Sequence, residues 1–291
     1  MKIIENRRKF FIGSLLVLLI GLAVILFNGF SGRGFFNLDV EFSGGLSMNV
    51  DLGQDFNNDD IAAIITEVTG QNAPQVQRVQ NTNQVAIKIL SVDAETRTAL
   101  VTAISEKYAI TADSFEIADI SATVSGEMQK TAVYAILISF GLMLVYVSFR
   151  FKAITTGASA VITIIHDALF TVVCYGVLRI PLNNSFIAVI LTIIGYAINN
   201  NIVVLDRIRE NKKLIKRTDF GELVDKSINQ SLRRCLFTII TTLLTITTLY
   251  ILGVPTIKEF SLPIILGLIC GTYSSICFTG STLYCMTEKT I

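Results

Sequence analysis

The chain has 291 residues, of which 52% are hydrophobic and 16% are charged, and its formal net charge is +1. The mean hydropathy of +0.60 is difficult to reconcile with a water-soluble protein of this length, so the composition predicts an integral membrane protein. All five cysteines lie in apolar stretches and are interpreted as packing residues, which excludes a disulfide framework for an exported domain.

The near-neutral total conceals an uneven distribution of charge. Between Asn28 and Gln129 there are fourteen acidic and five basic residues, whereas the remainder has nineteen basic and nine acidic residues. Lys and Arg close to the ends of membrane spans stay on the cytoplasmic side. The pattern therefore predicts an acidic soluble segment outside the membrane and basic short loops inside the cell.

Six apolar runs are long enough to cross a hydrocarbon core of about 30 Å, which takes roughly 20 helical residues. They are Phe10–Asn28, Thr131–Phe149, Ala153–Leu178, Asn183–Leu205, Cys235–Leu252 and Phe260–Met286. The first run lacks a small-residue cleavage site, so an uncleaved anchor is predicted rather than a signal peptide. Basic residues at the amino terminus and after the second and fourth runs predict that both termini are cytoplasmic.

These spans divide the chain into three parts. Residues 1–28 are predicted to form the cytoplasmic amino terminus and the first transmembrane helix, and residues 29–129 an extracytoplasmic domain. Residues 130–291 then contain transmembrane helices two to six, with a cytoplasmic loop at residues 206–234. The membrane part is expected to be an all-α bundle of six helices.

The extracytoplasmic segment has the pattern of a small α/β domain. In chain order it contains a strand at Leu46–Leu52, a helix capped at Asn57–Asp60 that runs to Val68, a hairpin of Gln75–Val79 and Gln84–Leu90 around Asn81–Asn83, a helix at Asp93–Tyr108 and a strand at Phe115–Ile120. The order βαββαβ predicts a ferredoxin-like unit. That topology serves many functions and decides none by itself.

Three consecutive amides interrupt the end of the fourth apolar run. Asn199, Asn200 and Asn201 lie where hydrocarbon-facing side chains are expected. Amides at membrane depth are costly unless they have partners. The triplet therefore predicts a buried polar site inside a helix bundle.

The third run contains two ionisable residues near its midpoint, His166 and Asp167. A carboxylate at the centre of a span costs several kcal/mol (about 2.5–3.5 on insertion scales) unless it is paired, hydrated or protonated, so such residues usually line a functional pathway. The alternative is a structural hydrogen-bonded pair that holds two helices together. The functional interpretation is favoured.

Charged residues also follow the fourth run, at Asp206, Arg207, Arg209 and Glu210. They are interpreted as an interfacial helix end with ion pairs at spacings of three and four. Of Arg233 and Arg234 at the start of the fifth run, one is interpreted as a topology anchor. The other would reach the bundle interior if Asn199–Asn201 lie opposite.

The short run Glu41-Phe42-Ser43-Gly44-Gly45 precedes the first predicted strand. Paired glycines allow a tight turn or a close approach of two backbones, and the turn is favoured. Motifs of metalloproteases, α/β-hydrolases and P-loop proteins are absent, so no enzyme activity is expected. One histidine and scattered cysteines do not make a zinc site, and basic residues confined to the membrane surface give little support for nucleic-acid binding.

Five motifs in order along the whole chain carry a family resemblance. They are Asn37–Gly45, His166-Asp167, Gly195–Asn211 with its ending Asp-Arg-Ile-Arg-Glu-Asn, Ser227–Arg234 and Gly271–Ser275. On these motifs the chain resembles the SecF family, the smaller membrane subunit of the bacterial SecDF accessory complex. Glu41 and Ser43 are conservative departures from the family's Asp-Phe-Thr-Gly-Gly motif.

The resemblance implies one six-span half of an RND-type transporter in the bacterial inner membrane, with SecD as its partner. It implies that the complex uses a proton or sodium gradient, without a cofactor, to help draw a secreted polypeptide outward from the SecYEG translocon. YajC is a further expected partner, and membrane lipid surrounds the bundle.

The resemblance also assigns individual residues. Arg234 lies at the family's functional arginine, and Asn200 lies where members usually carry aspartate. Because asparagine has no titratable group, this subunit is expected to lack one proton carrier.

Two other functions stay open from the sequence. One is an RND-type half-transporter that exports small molecules or lipids, although such proteins normally carry twelve spans and a second large outside domain. The other is a structural subunit without its own ion coupling, which Asn200 would suit.

Overall fold

The computed structural model describes residues 2–71, 75–79, 82–90, 92–214 and 219–288. In chain order its helices are α1 Arg7–Asn28, α2 Val40–Ser43, α3 Asn58–Thr69, α4 Ala94–Tyr108, α5 Ala122–Phe151, α6 Ile154–Leu178, α7 Asn184–Leu214, α8 Phe220–Leu252, α9 Pro255–Cys277 and α10 Thr279–Glu288. The strands are β1 Gly45–Asp51, β2 Gln75–Arg78, β3 Gln84–Leu90 and β4 Phe115–Ile120.

The chain divides into two compact units. The helical unit consists of Met1–Asn37, Val133–Pro181 and Ser185–Ile291. The α/β unit consists of Leu38–Ala132 and Leu182–Asn184. The α/β unit thus begins later and ends later than the domain predicted at residues 29–129, and it includes the first turns of α5, which begins at Ala122.

Six segments of the described chain are long and apolar enough to cross a membrane, which confirms the six predicted spans. The sixth span consists of α9 and α10, which Phe278 separates. Helix α7 continues to Leu214 and α8 begins at Phe220, so most of the segment predicted as a loop at 206–234 is helical. These extensions are amphipathic: Ile208 on α7 and Val224 on α8 are buried within the helical unit.

The α/β unit has the predicted order of elements. Its four strands form one antiparallel sheet in the order β2-β3-β1-β4. The Asn57 side chain accepts a hydrogen bond from the Asp59 N–H at the start of α3, and Asp93 accepts one from Thr96 at the start of α4. Both helix starts therefore form where capping residues predicted them. Of the predicted hairpin turn, Asn81 lies outside the described residues.

Alternating apolar residues on the strands build the core of this unit. Ile87 on β3 and Met48 on β1 are fully buried, and the two residues are paired in the sheet register. Ile61 on α3 and Leu100 on α4 are also fully buried and belong to the same core cluster. Each such side chain contributes about 1.5–3 kcal/mol on burial, so the core stabilises the unit in spite of its small size.

Within the helical unit, α6 packs against α1, α9 and α10. Small residues permit the close approach of these helices. A Cβ at Gly21 of α1 would lie 2.1 Å from a Val173 methyl carbon on α6, and one at Gly267 of α9 would lie 2.2 Å from Ile193 on α7. By contrast, only 11% of the most apolar 18-residue window is buried in α5, and the same share in α8, as in helices that face lipid or a partner.

Candidate functional site

A line of polar side chains runs along one face of α6. Ser159, Thr163, Asp167 and Thr171 are each fully buried, and each lies four residues after the one before. Because residues four apart share one face of a helix, the four side chains form a continuous stripe. The stripe faces α9 and α10, since Asp167 and Thr163 make polar contacts with Ser274 and Thr279 on those helices.

Asp167 is the centre of this stripe. The Ser274 hydroxyl of α9 donates a hydrogen bond of 2.8 Å to Asp167 Oδ2. The other oxygen, Oδ1, lies 3.0 Å from His166 Nδ1 and accepts a long contact of 3.8 Å from the Cys270 thiol. A buried carboxylate is tolerated when both of its oxygens have partners, as these two do.

His166 connects this carboxylate to the first span. Its Nε2 is hydrogen-bonded to the Ser14 hydroxyl of α1. Its ring also stacks on Phe278, with 4.6 Å between the ring centres and 27° between the planes. A neutral imidazole that donates from Nδ1 to Asp167 accepts at Nε2 from Ser14. The result is a buried chain of contacts that joins α1, α6 and α9.

The three asparagines of α7 have different environments. Asn201 is fully buried, and its Oδ1 accepts a 2.8 Å hydrogen bond from Thr279 of α10. Thr279 Oγ1 also lies 3.4 Å from Thr163 Oγ1. Asn200 is 3% exposed, whereas Asn199 is exposed. The triplet is therefore not buried as a whole, because successive helix positions differ by about 100° and Asn199 lies on an outer face.

Arg234 does not reach this cluster. The buried face of α8 contains Ser227, Ser231 and Cys235, spaced by four, and Arg234 is exposed beside it. Within the described residues, Arg234 therefore does not lie in the bundle interior, where one of Arg233 and Arg234 was expected if Asn199–Asn201 lay opposite. The buried link between α7 and α8 is made instead by Asn211, whose amide donates to Ser227 at 2.8 Å.

The charged end of the fourth span contains the predicted ion pairs. Asp206 lies 3.4 Å from Arg209 on α7 and 3.3 Å from Arg150 of α5. Arg207 and Glu210 form a further pair at 2.9 Å. The two pairs within α7 are at spacing three, which supports a helix end at an interface. All three pairs are about half exposed, so each is worth little in stability.

In the α/β unit, the run from Glu41 to Gly45 makes a sharp junction before β1. Val40–Ser43 form one helical turn, capped by Asp39, and Gly44 has φ 78°. A Cβ on Gly45 would lie 2.4 Å from the Ile89 carbonyl oxygen, so a close backbone approach accompanies the turn. Glu41 accepts a hydrogen bond of 2.7 Å from the Asn184 N–H, and the Phe42 carbonyl accepts one of 2.5 Å from Gln129.

Donor atoms of His166, Asp167 and Cys270 lie within 4.8 Å of one another, which is close enough to consider a metal ion. The hydrogen bonds among these three groups, Ser14 and Ser274 already account for their proximity. The geometry is that of a closed polar cluster.

Ser14, Thr163 and Thr279 were not singled out from the sequence. For Thr163 a weak signal existed, since hydroxyl residues recur at a spacing of four in an otherwise apolar span and such a spacing predicts a polar face on the helix. Ser14 carried no signal, since a single serine in an apolar run is common in membrane helices.

Comparison with known proteins is consistent with this architecture. The family model described as "Protein export membrane protein SecD/SecF, C-terminal" matches residues 100–289. The SecF subunit of Dictyoglomus turgidum is 35% identical over 280 residues, covering 96% of this chain and 93% of the relative. The SecF subunit of Haemophilus influenzae is 32% identical, covering 93% of this chain and 81% of the relative.

A solved structure is similar over the whole length. The crystal structure of SecDF from Thermus thermophilus superposes with a TM-score of 0.80 at 29% sequence identity. The match covers 99% of this chain and 39% of the SecDF chain, so this chain corresponds to the smaller part of that protein. The chain, a multi-pass membrane protein, therefore belongs to the SecD/SecF family of protein export membrane proteins.

Proposed function

We propose that this chain is the SecF-type subunit of the Sec protein-export machinery and that it assists late translocation of a secreted polypeptide across the bacterial inner membrane. Its near full-length relatives are named protein translocase subunit SecF, which supports this role. A transport role of this kind needs no enzyme chemistry and no cofactor.

SecD is the proposed partner. In the Thermus protein, whose name joins SecD and SecF, the part similar to this chain is only 39% of the length. The exposed apolar faces of α5 and α8 provide surface for a second six-span unit within the membrane. Exposed Asn199 and Arg234 are polar groups that such a partner would cover, and we infer that Arg234 acts across that boundary. SecYEG and YajC are further proposed partners.

The observation that best supports a role in ion coupling is the buried carboxylate of Asp167. Its two oxygens contact groups from α6 itself and from α9, and through His166 it is connected to α1. Gain or loss of a proton or a sodium ion would change which of these hydrogen bonds can form. Such a change shifts the balance between two packings of the helices, which is how ion movement can drive motion.

Asn200 narrows the choice of ion carrier in this subunit to Asp167. Asn200 is buried and cannot exchange a proton, so it provides only a neutral polar group on α7. Among the described residues of the spans' interior, Asp167 is the fully buried acidic side chain. We infer that this subunit uses Asp167, and the SecD partner its own carboxylate, to respond to the ion gradient.

The α/β unit is inferred to be ferredoxin-like and to lie outside the membrane, with both termini cytoplasmic. The βαββαβ order and the antiparallel sheet β2-β3-β1-β4 support the first inference. The acidic charge between Asn28 and Gln129 supports the second. In this position the unit would be available to contact the emerging polypeptide.

Export assays test the proposal directly. Cells that lack this protein should accumulate unprocessed secretory precursors, and a plasmid copy of the natural chain should restore processing. Normal precursor processing at low temperature in the deleted cells would contradict the role. Unchanged processing together with a defect in efflux of a small molecule or lipid would instead support the half-transporter.

A structural subunit without ion coupling is the second candidate, because Asn200 removes a titratable group. Separate Asp167→Asn and Arg234→Ala variants distinguish the two candidates. If both variants leave export and its dependence on membrane potential unchanged, the structural role is correct and the ion path through this subunit is excluded.

A further inference from the structure

A cavity of about 210 Å³ lies in the helical unit where several spans end. It lies between the end of α5, the first turn of α6, the last turns of α7, the first turn of α8 and the end of α10. Because these are span ends, the cavity is at the level of a membrane interface rather than at the bundle centre. The ion-coupling cluster around Asp167 does not contribute to its lining.

Two cationic side chains line the cavity. The Arg209 guanidinium lies 5.3 Å from the centre of the Phe151 ring, and the Lys212 ammonium lies 5.8 Å from the centre of the Phe220 ring. Cation–π contacts of this kind hold a cation in place without neutralising it. The carboxylate of Asp206 is shared between Arg209 and Arg150, so a net positive charge remains at the cavity.

Neutral donors complete the polar side. The hydroxyl residues Thr155 and Thr156 line the cavity within the first turn of α6. The N-cap residue of α6 is Ala153, whose side chain cannot cap the helix. The first backbone N–H groups of α6 therefore remain available to a ligand. Two cations, two hydroxyls and free N–H groups together match the several oxygens of a phosphate group.

The remaining walls are apolar apart from Thr287, whose hydroxyl donates to the Leu283 carbonyl. Leu205, Ile208 and Leu283 line the cavity and are almost fully buried. Two apolar residues close in sequence to the lining residues are largely exposed: Ile154, the first residue of α6, is 73% exposed, and Leu214, the last residue of α7, is 80% exposed. A ligand that fits such a site has an anionic head beside an apolar body. Free phosphate lacks the apolar part, whereas a phospholipid at the membrane interface has both.

We propose that this cavity binds the headgroup phosphate of an anionic phospholipid, with Arg209 and Lys212 as its cationic ligands. The site is distinct from the proposed ion-coupling site, since neither Asp167 nor His166 lines the cavity. Bound lipid would connect the ends of α5, α6, α7 and α10 and so stabilise this end of the bundle.

The test uses the full-length protein purified in detergent and measures retained lipid by native mass spectrometry. The probes are phosphatidylglycerol, phosphatidylcholine of the same acyl chains, and inorganic phosphate. Lys212→Gln is compared with Lys213→Gln, a matched control because Lys213 is the adjacent exposed lysine and does not line the cavity. Thermal unfolding and gel filtration establish that both variants are folded.

We expect retention of phosphatidylglycerol above phosphatidylcholine, an approximately fivefold loss in Lys212→Gln, and little change in Lys213→Gln. An Arg209→Gln, Lys212→Gln double variant should lose the preference for the anionic lipid. Equal retention of the two lipids, or equal losses in the two single variants, would overturn the proposal. Retention of inorganic phosphate without retention of phosphatidylglycerol would show that the site binds a soluble anion, and this result would also overturn the proposal.

Discussion

Ser274 on the sixth span donates a hydrogen bond to Asp167 on the third span across 2.8 Å, and both side chains are fully buried. The two residues are 107 positions apart in sequence. Their contact joins two helices at the carboxylate that we propose responds to the ion gradient.

Removal of the Ser274 hydroxyl should destabilise the protein. Ser274→Ala leaves one carboxylate oxygen without its hydroxyl partner, and an unsatisfied buried group of this kind costs about 1–3 kcal/mol. We expect a lower unfolding temperature for the full-length protein in detergent and slower export. Ser275→Ala is the matched control, since the buried Ser275 hydroxyl has no hydrogen-bond partner within the described residues. Equal effects of the two substitutions would contradict the role given to Ser274.

Asp167→Asn should abolish the gradient-dependent part of export. The amide has almost the same shape as the carboxyl group but cannot exchange a proton and binds a cation weakly. Export should fall to the level of cells that lack the chain and should no longer respond to a protonophore or a sodium ionophore. The measurement is precursor processing in membrane vesicles with an imposed gradient.

Asp206→Asn is the control for this substitution. Asp206 is a carboxylate of the same chain, but it lies at the charged end of α7 and pairs with arginines. The variant should retain gradient-dependent export, because half-exposed ion pairs contribute little to stability. A loss as complete as that of Asp167→Asn would show that the effect does not depend on the buried site.

Gly45→Ala should destabilise the α/β unit. The added Cβ would lie 2.4 Å from the Ile89 carbonyl oxygen, and both belong to the paired backbones of β1 and β3. Strain of this kind costs about 1–3 kcal/mol, so we expect an earlier thermal transition. Gly126→Ala on α5 has open space around its Cβ and should have a neutral or slightly stabilising effect. An unchanged thermal transition of the Gly45→Ala variant would contradict this prediction and would mean that β1 can shift without loss of stability.

The cap of α4 should make stability depend on acid pH. Hydrogen bonds from the side chain and backbone N–H of Thr96 hold the pKa of Asp93 below its ordinary value of 3.8. The cap's contribution is therefore fully present above the unfolded pKa and is lost as the pH falls through the folded pKa. Asp93→Asn should still cap the helix while removing this part of the pH dependence. Unfolding temperatures of the two proteins, measured between about pH 6 and pH 2, should converge at the acid end.

Local elements were accessible from the sequence because their causes are local. β3 and β4 have the predicted bounds, since alternation of apolar residues is a property of the strand itself. Asn57 and Asp93 marked helix starts because a cap bonds to residues two or three positions away. The sequence predicts the interfacial helix end at Asp206–Glu210 but not the continuation of α7 to Leu214, because amphipathic helix beyond the membrane resembles a polar loop in composition.

The sequence alone therefore determines the six spans, the uneven distribution of charge along the chain and the presence of ionisable groups at His166 and Asp167. These features depend on the identity of each residue and not on which residues meet in the fold. Only the tertiary structure decided which groups meet: Ser14 with His166, Ser274 with Asp167, and Thr279 with Asn201. It also placed Asn199 and Arg234 on the exposed surface of the chain. The rotation of each helix about its own axis depends on the packing of its neighbours, and a one-residue difference turns a side chain by about 100° from the interior to the surface.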